Sequence, residues 1–134
     1  MTDDIAQNLA QVRARIDAAA AHAHRSPDEI LLVAVSKTMP LERLRQAYSA
    51  GQRHFGENRV QEAEAKITAW TGDRPVWHLI GRLQRNKAKR AAQMFDLIHS
   101  VDSVDLARAL DRHAGEAGRV LPVLLEVNVA GEAS

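Results

Sequence analysis

The chain has 134 residues, the size of one domain, and its 46% hydrophobic and 26% charged residues exclude intrinsic disorder and collagen-like repeats. Eighteen basic against 17 acidic residues leave a formal charge of +1, which points to neither a nucleic acid nor a membrane partner. Cysteine is absent, so disulfides, thiolate nucleophiles and cysteine-bound metals are excluded.

In chain order, Ile5, Leu9, Val12, Ile16 and Ala19 or Ala20 recur at steps of three and four, one apolar stripe of a helix that Thr2 or Asp3 can cap. A turn at 25–28 leads into the apolar run 30–36, which fits a strand buried on both faces. Leu41, Leu44 and Ala47 or Tyr48 restart the helical period, and Gly51 can close it in a left-handed cap. Residues 53–55 read as a brief strand closed by Gly56. Val60, Ala63, Ile67 and Trp70 are helical, and 72–75 is a turn. The alternation continues with a strand at 76–80, a helix at 86–94 and a strand at 96–100. Asp102 or Ser103 caps a helix carrying Val104, Ala107 and Leu110, and 121–129 is the last strand. No apolar run nears the roughly 20 residues of a membrane span. The opening Met1-Thr2-Asp3-Asp4 lacks the basic start of a signal peptide, so a cytoplasmic protein is expected.

One helix followed by five strands and four intervening helices predicts a parallel sheet with right-handed crossovers. An open doubly wound sheet and a (β/α) barrel compete. No Gly-x-Gly-x-x-Gly follows the first strand, which counts against nucleotide-type open sheets, while a barrel needs eight strands and five are present.

Four strands end in polar clusters: Ser36-Lys37-Thr38, Gly56-Glu57-Asn58, Gly81-Arg82 and Ser100-Val101-Asp102. Parallel strands bring these to one rim, where ligand sites of such folds form, although strand ends are also polar simply because the chain turns there. Only four of the basic residues are lysines, and Lys37 alone directly follows a buried strand. Packing of its stem would partly desolvate the amine and favour the neutral form that attacks an aldehyde to make a Schiff base. Position alone favours a loop lysine reaching into water over such a nucleophile. Lys66, Lys87 and Lys89 lie on helices with charged neighbours and read as solvated surface. The basic stretch 82–90 lacks interleaved aromatics and reads as a solvated helix face rather than an RNA site. His54, His78 and His99 fall on three successive strands and could converge on a metal, but their offsets from the strand ends differ. His78, beside Trp77, reads better as a pocket or core histidine.

Five motifs in order then carry a resemblance: Val33-Ala34-Val35-Ser36-Lys37-Thr38, Phe55-Gly56-Glu57-Asn58-Arg59-Val60-Gln61-Glu62, Trp77-His78-Leu79-Ile80-Gly81-Arg82-Leu83-Gln84-Arg85-Asn86-Lys87, Ile98-His99-Ser100-Val101-Asp102-Ser103 and Val127-Asn128-Val129-Ala130-Gly131-Glu132. Together they resemble the YggS/PROSC (PLPBP) family of pyridoxal 5′-phosphate homeostasis proteins, over essentially the whole chain. The resemblance implies a TIM-type (β/α) barrel related to the alanine racemase N-terminal domain, of which residues 1–134 would be the N-terminal part. It implies pyridoxal 5′-phosphate joined to Lys37, with Asn58 and His78 near the cofactor. It also implies a cytosolic, non-catalytic carrier and regulator of the cofactor, and an intact family member that is a monomer.

The family continues through three more βα units, which hold its phosphate grip. This piece is therefore expected to carry the covalent anchor without the phosphate cradle, to bind weakly or not at all alone, and to self-associate through open sheet edges. Two alternatives remain open at this point: an enzyme of the alanine racemase or decarboxylase type on the same barrel, and a metal-dependent barrel hydrolase using His54, His78 and His99. The racemase type predicts an acid/base tyrosine, and the single tyrosine, Tyr48, lies on a helix and looks structural.

Overall fold

The computed structural model describes residues 3–133. Helix α1 spans Ile5–His22, with Asp4 as its cap: the Asp4 side chain accepts from Gln7 N, satisfying one of the free N–H groups of the first turn. Thr2 lies outside the described residues. Asp3 is not the cap but pairs with Arg43 at 3.0 Å, tying α1 to the next helix. The remaining elements alternate: β1 Ala34–Val35, α2 Leu41–Ser49, β2 His54–Glu57, α3 Val60–Ala69, β3 Val76–Leu79, α4 Ala88–Met94, β4 Leu97–Val101, α5 Val104–Glu116 and β5 Val123–Leu125. Gly51, at φ +99°, follows α2 in the left-handed conformation a closing glycine supplies. Ser103, not Asp102, caps α5 by accepting from Leu106 N at 3.1 Å.

All five strands are parallel and lie in the order β1-β2-β3-β4-β5. A doubly wound sheet reverses its strand order at a switch point. Here every crossover steps to the next strand in the same direction, as in the wall of a barrel. The α/β barrel-type architecture expected from the sequence is thus the one observed, with five of its strands.

Alternation along the strands then decides what each face does. Phe55, Trp77, Leu79 and Ile98 point toward the helices, where they join Leu44, Ala63, Ala91, Phe95, Leu106 and Leu110 in one core. Trp77 is wholly buried against Phe55 and Trp70, with ring centroids 5.8 and 6.0 Å away. Ala88, Ala91 and Ala92 of α4 are fully buried, and α4 packs most closely on α5. The opposite face has no helix layer over it. There the run 30–36 departs from expectation: only Ala34 and Val35 join the ladder, and Val35 is 55% exposed rather than buried. β1 is an edge strand covered on one face, because no crossover places a helix on the other. β5 is the other edge strand, and Val123, Leu124 and Leu125 are exposed on both of its faces.

Trp77 Nε1 is a buried donor with no acceptor among the described residues. Trp77→Ala is expected to cost about 3–5 kcal/mol by leaving a cavity, whereas Trp77→Phe, which keeps a ring and removes the orphaned donor, should cost less than half of that. Urea midpoints of the two variants check this.

Candidate functional site

Parallel pairing brings the polar strand ends to one edge of the sheet. Ser36 N donates to Gly56 O at 2.9 Å, Ile80 N to Glu57 O at 2.9 Å and Glu126 N to Val101 O at 2.9 Å, so backbone bonds tie the rim segments together. The register fixes their relative height. Val35 lies opposite Gly56, Gly56 opposite His78, and His78 opposite Leu97. Two residues further along each strand, Lys37, Asn58, Ile80 and His99 occupy one level across β1 to β4, on the face away from the helices.

Lys37 is exposed, and its side chain makes no hydrogen bond or ion pair among the described residues. The partial burial expected of it is not observed, because the sheet face it shares with Val35 is open. Asn58, half-buried on the neighbouring strand end, likewise has no side-chain partner among the described residues. Its backbone is fixed by close approach: a Cβ on Gly81 would lie 2.3 Å from Asn58 O and 2.8 Å from Asn58 Cα. Only glycine lets these two rim loops cross. Beyond them opens a rim cleft of about 840 Å³, lined by Asn58, Arg82, Gln84 and Asp102 among others; Lys37 is not part of its wall.

His78 sits deeper, 2% exposed, two residues below the Asn58 level. Its Nε2 meets His54 Nδ1 at 2.9 Å and its Nδ1 meets His99 Nε2 at 2.9 Å. The three histidines thus come together, but in series along a diagonal of the sheet rather than around a point. Each contact needs one N–H and one lone pair, so a neutral His78 donates in one and accepts in the other. Both its nitrogens are engaged. Among the described residues no group of three or more histidine, aspartate or glutamate side chains is arranged to hold a metal ion. Burial, then the neighbouring His99 and His54, holds the His78 pKa down at about 4; burial also lowers that of His99.

Lys66 corrects the sequence reading. It is not solvated surface but buried, 8% exposed, on the face of α3 that meets the sheet. Its Nζ pairs with Glu57 Oε1 at 2.6 Å, donates to Ser36 O at 2.7 Å and reaches Glu62 Oε1 at 3.3 Å. Glu57 is fully buried, and burial raises its pKa against the opposing pull of Lys66. Glu62 accepts from Thr38 N, and that bond, first among several, lowers its pKa. The pair at i, i+4 reads from sequence as a surface ion pair. The one available signal was Glu57, an acid closing a short strand that faces the core. The basic stretch is solvated but only in part the helix face expected: Arg82, Arg85, Lys89 and Arg90 are exposed, Lys87 donates to Gln61 at 3.0 Å, and Arg90 pairs with Glu64. Its helix begins at Ala88, after a 3₁₀ turn at Arg85–Lys87.

Fold and rim together define a (β/α)-barrel wall that presents a lone amine at the carboxyl ends of its strands. The model of the alanine racemase N-terminal domain matches residues 7–132, and the chain belongs to that family. Within it, the chain is 45% identical over 137 residues to the pyridoxal phosphate homeostasis protein of Escherichia coli K12, an alignment covering 98% of this chain and 58% of that protein. It is 47% identical to the protein of the same name from Pseudomonas aeruginosa, over 97% of this chain and 56% of that one. The solved structure of PipY from Synechococcus elongatus with pyridoxal phosphate bound superimposes with a TM-score of 0.84 at 48% identity, covering 96% of this chain and 57% of PipY. The chain therefore spans a little over half the length of the relatives it matches. The family likeness carried by the five motifs is borne out. No described helix is long and apolar enough to cross a membrane.

Two predictions follow from the rim and the histidine row. Gly81→Ala should displace Asn58 and cost about 1–3 kcal/mol, read as a lowered urea midpoint. The unfolded chain binds a proton at His78 below roughly pH 6.5 and the folded chain only below about pH 4. Stability should therefore fall as the pH drops through that window and level off for this group beneath it. His78→Gln should flatten that part of the urea midpoint against pH profile.

Proposed function

We propose that Lys37 joins pyridoxal 5′-phosphate, firmly in the intact protein and only weakly in this piece alone, and that the protein serves in holding and passing on the cofactor rather than in catalysing a reaction. The observation that carries the reading is Lys37 itself: a lysine at a strand end, on the open face of the wall, with no side-chain partner among the described residues. The chemistry of the site suits the aldehyde end of the cofactor. Lys66, the other lysine close to the rim, is engaged by Glu57, Glu62 and Ser36 O. When bound, the cofactor supplies an aldehyde that joins amines reversibly with loss of water. Lys37 would hold it at Nζ after giving up a proton to solvent. The Asn58 amide, without a side-chain partner among the described residues and level with Lys37, would offer both a donor and an acceptor beside it. His78, with both nitrogens engaged, would contribute as a fixed part of the wall rather than through a free ring nitrogen.

The names of the relatives support the same reading, since one of them was solved with PLP bound. Tyr48, the single tyrosine, stacks edge-on against Trp70 at 5.2 Å and under Arg53 at 3.9 Å, which favours a packing role for it over acid/base chemistry. The same proposal takes residues 1–134 as the N-terminal part of a single barrel domain, places the protein in the cytoplasm, and has this piece associate through its edges. The exposed Val35, Leu124 and Leu125 on β1 and β5 support that last point.

Incubation with pyridoxal 5′-phosphate, borohydride reduction and peptide mapping tests the assignment. The expected adduct lies on Lys37, and Lys37→Met should reduce labelling to that of the other exposed lysines. A stable adduct on another lysine with none on Lys37 overturns it.

A further inference from the structure

The backbone on both sides of Lys37 is tied down, and Lys37 O accepts from Thr38 Oγ1 at 2.6 Å, while the Lys37 side chain has no partner among the described residues. On one side, Ser36 N and Ser36 Oγ both donate to Gly56 O, at 2.9 and 3.2 Å, and Ser36 O accepts from Lys66 Nζ at 2.7 Å. On the other, Thr38 N donates to Glu62. Lys66 Nζ joins the two sides, since it also contacts Glu62 Oε1 at 3.3 Å and is anchored from below by the fully buried Glu57 at 2.6 Å. Thr38 sits at φ +62°, a left-handed conformation that a β-branched residue adopts only under constraint.

Stability does not account for this arrangement. A buried ion pair gains little over a well-packed apolar pair, because desolvation offsets the attraction. An unfavourable backbone angle at Thr38 subtracts further. What the cluster does achieve is directional: it fixes the two peptide groups that flank one residue, and so the direction in which that residue leaves the sheet.

We propose that Glu57, Lys66 and Glu62 are positioning residues for Lys37, a charged clamp that holds its backbone so that Nζ projects over the open face of the wall at the Asn58 level. This rests on the reading of Lys37 as the cofactor lysine, and it adds three residues that act through backbone rather than by touching the ligand. Glu62 carries the connection to Thr38, and Lys66 the connection to Ser36. Glu57 holds Lys66 where it can make both.

The test uses the full chain and four variants. Glu62→Ala removes the acceptor for Thr38 N, Glu62→Gln keeps an amide oxygen there, Lys66→Met removes the ammonium while keeping an apolar stem, and Glu64→Ala is a control on the same helix. Two quantities are read: amide hydrogen exchange at Thr38, without cofactor, and the ratio of borohydride-trapped pyridoxal phosphate to formaldehyde at Lys37. Formaldehyde reports the reactivity of the amine alone, and the larger aldehyde reports its placement as well. Glu62→Ala should speed Thr38 exchange by about 10- to 100-fold and lower the labelling ratio about tenfold. Lys66→Met should lower the ratio, Glu62→Gln should recover most of both effects, and Glu64→Ala should change neither. The clamp is overturned if Thr38 exchanges freely in the unaltered chain, or if Glu62→Ala and Lys66→Met leave the ratio unchanged. Protection of Thr38 that Glu62→Ala releases, with no pyridoxal phosphate on Lys37 in any chain, would support the clamp and overturn the cofactor reading.

Discussion

Each βα unit of this chain must set its next strand beside the last one, in the same direction, and return its helix to the same side of the sheet. From that one constraint the two faces acquire different roles. The helix side collects Phe55, Trp77, Leu79 and Ile98 into a dry core. The other side carries groups from the exposed Val35 to the buried His78, and the carboxyl ends of the strands fall on one edge. A site at that edge is therefore a product of topology first and of particular residues second. Had the strand order reversed at any point, helices would have covered both faces and Lys37 would have had no open surface to occupy.

The same constraint explains where charge is tolerated in the interior. Glu57 is the last residue of β2 and points toward the helices, while Gly56 and Asn58 point the other way. A carboxylate in that position must be matched from the helix layer, and Lys66 is the residue of α3 that reaches it. The match is local to the rim, where Ser36 O and Glu62 supply the remaining acceptors for the ammonium. Deeper in the sheet, buried polarity takes a neutral form instead. Burial holds His78 unprotonated at ordinary pH, and a neutral imidazole can be satisfied by two more imidazoles without any charge at all.

How much of this could be read from the sequence depends on whether a feature is set along the chain or across it. Element type and order were legible because helical stripes such as Leu41, Leu44 and Ala47 and apolar runs such as 76–80 carry their own period. The place of Lys37 at a strand end was legible because it is the one lysine that follows an apolar run directly. The limits of β1 and β5 were not, since the apolar run 30–36 and the valine- and leucine-rich stretch 121–129 extend beyond the residues that the ladder pairs. Lys66 was misread because Glu62 and Lys66 have the spacing of a solvated helical pair, and nothing along α3 reveals that Glu57 lies beneath it. The histidine row needed the register: His54, His78 and His99 meet because each strand is advanced two residues on the last, an offset that only pairing determines.

Lys37 and Lys66 show how one rim can contain two amines and give them opposite roles. Lys66 is surrounded by three acceptors within 3.3 Å, so freeing its nitrogen for attack would leave a buried Glu57 unmatched, a cost of several kcal/mol. Lys37 has no such tie, and solvent can take up its proton without disturbing any contact. On the proposed reading of Lys37, reactivity at this edge is directed as much by the engagement of one lysine as by the availability of the other. The engaged lysine also orders the peptide that carries the available one, through Ser36 O on one side and Glu62 on the other. A rim with two exposed lysines would present an aldehyde with two competing nucleophiles on a looser loop. Burying one of them removes the competitor and stiffens the loop in the same step.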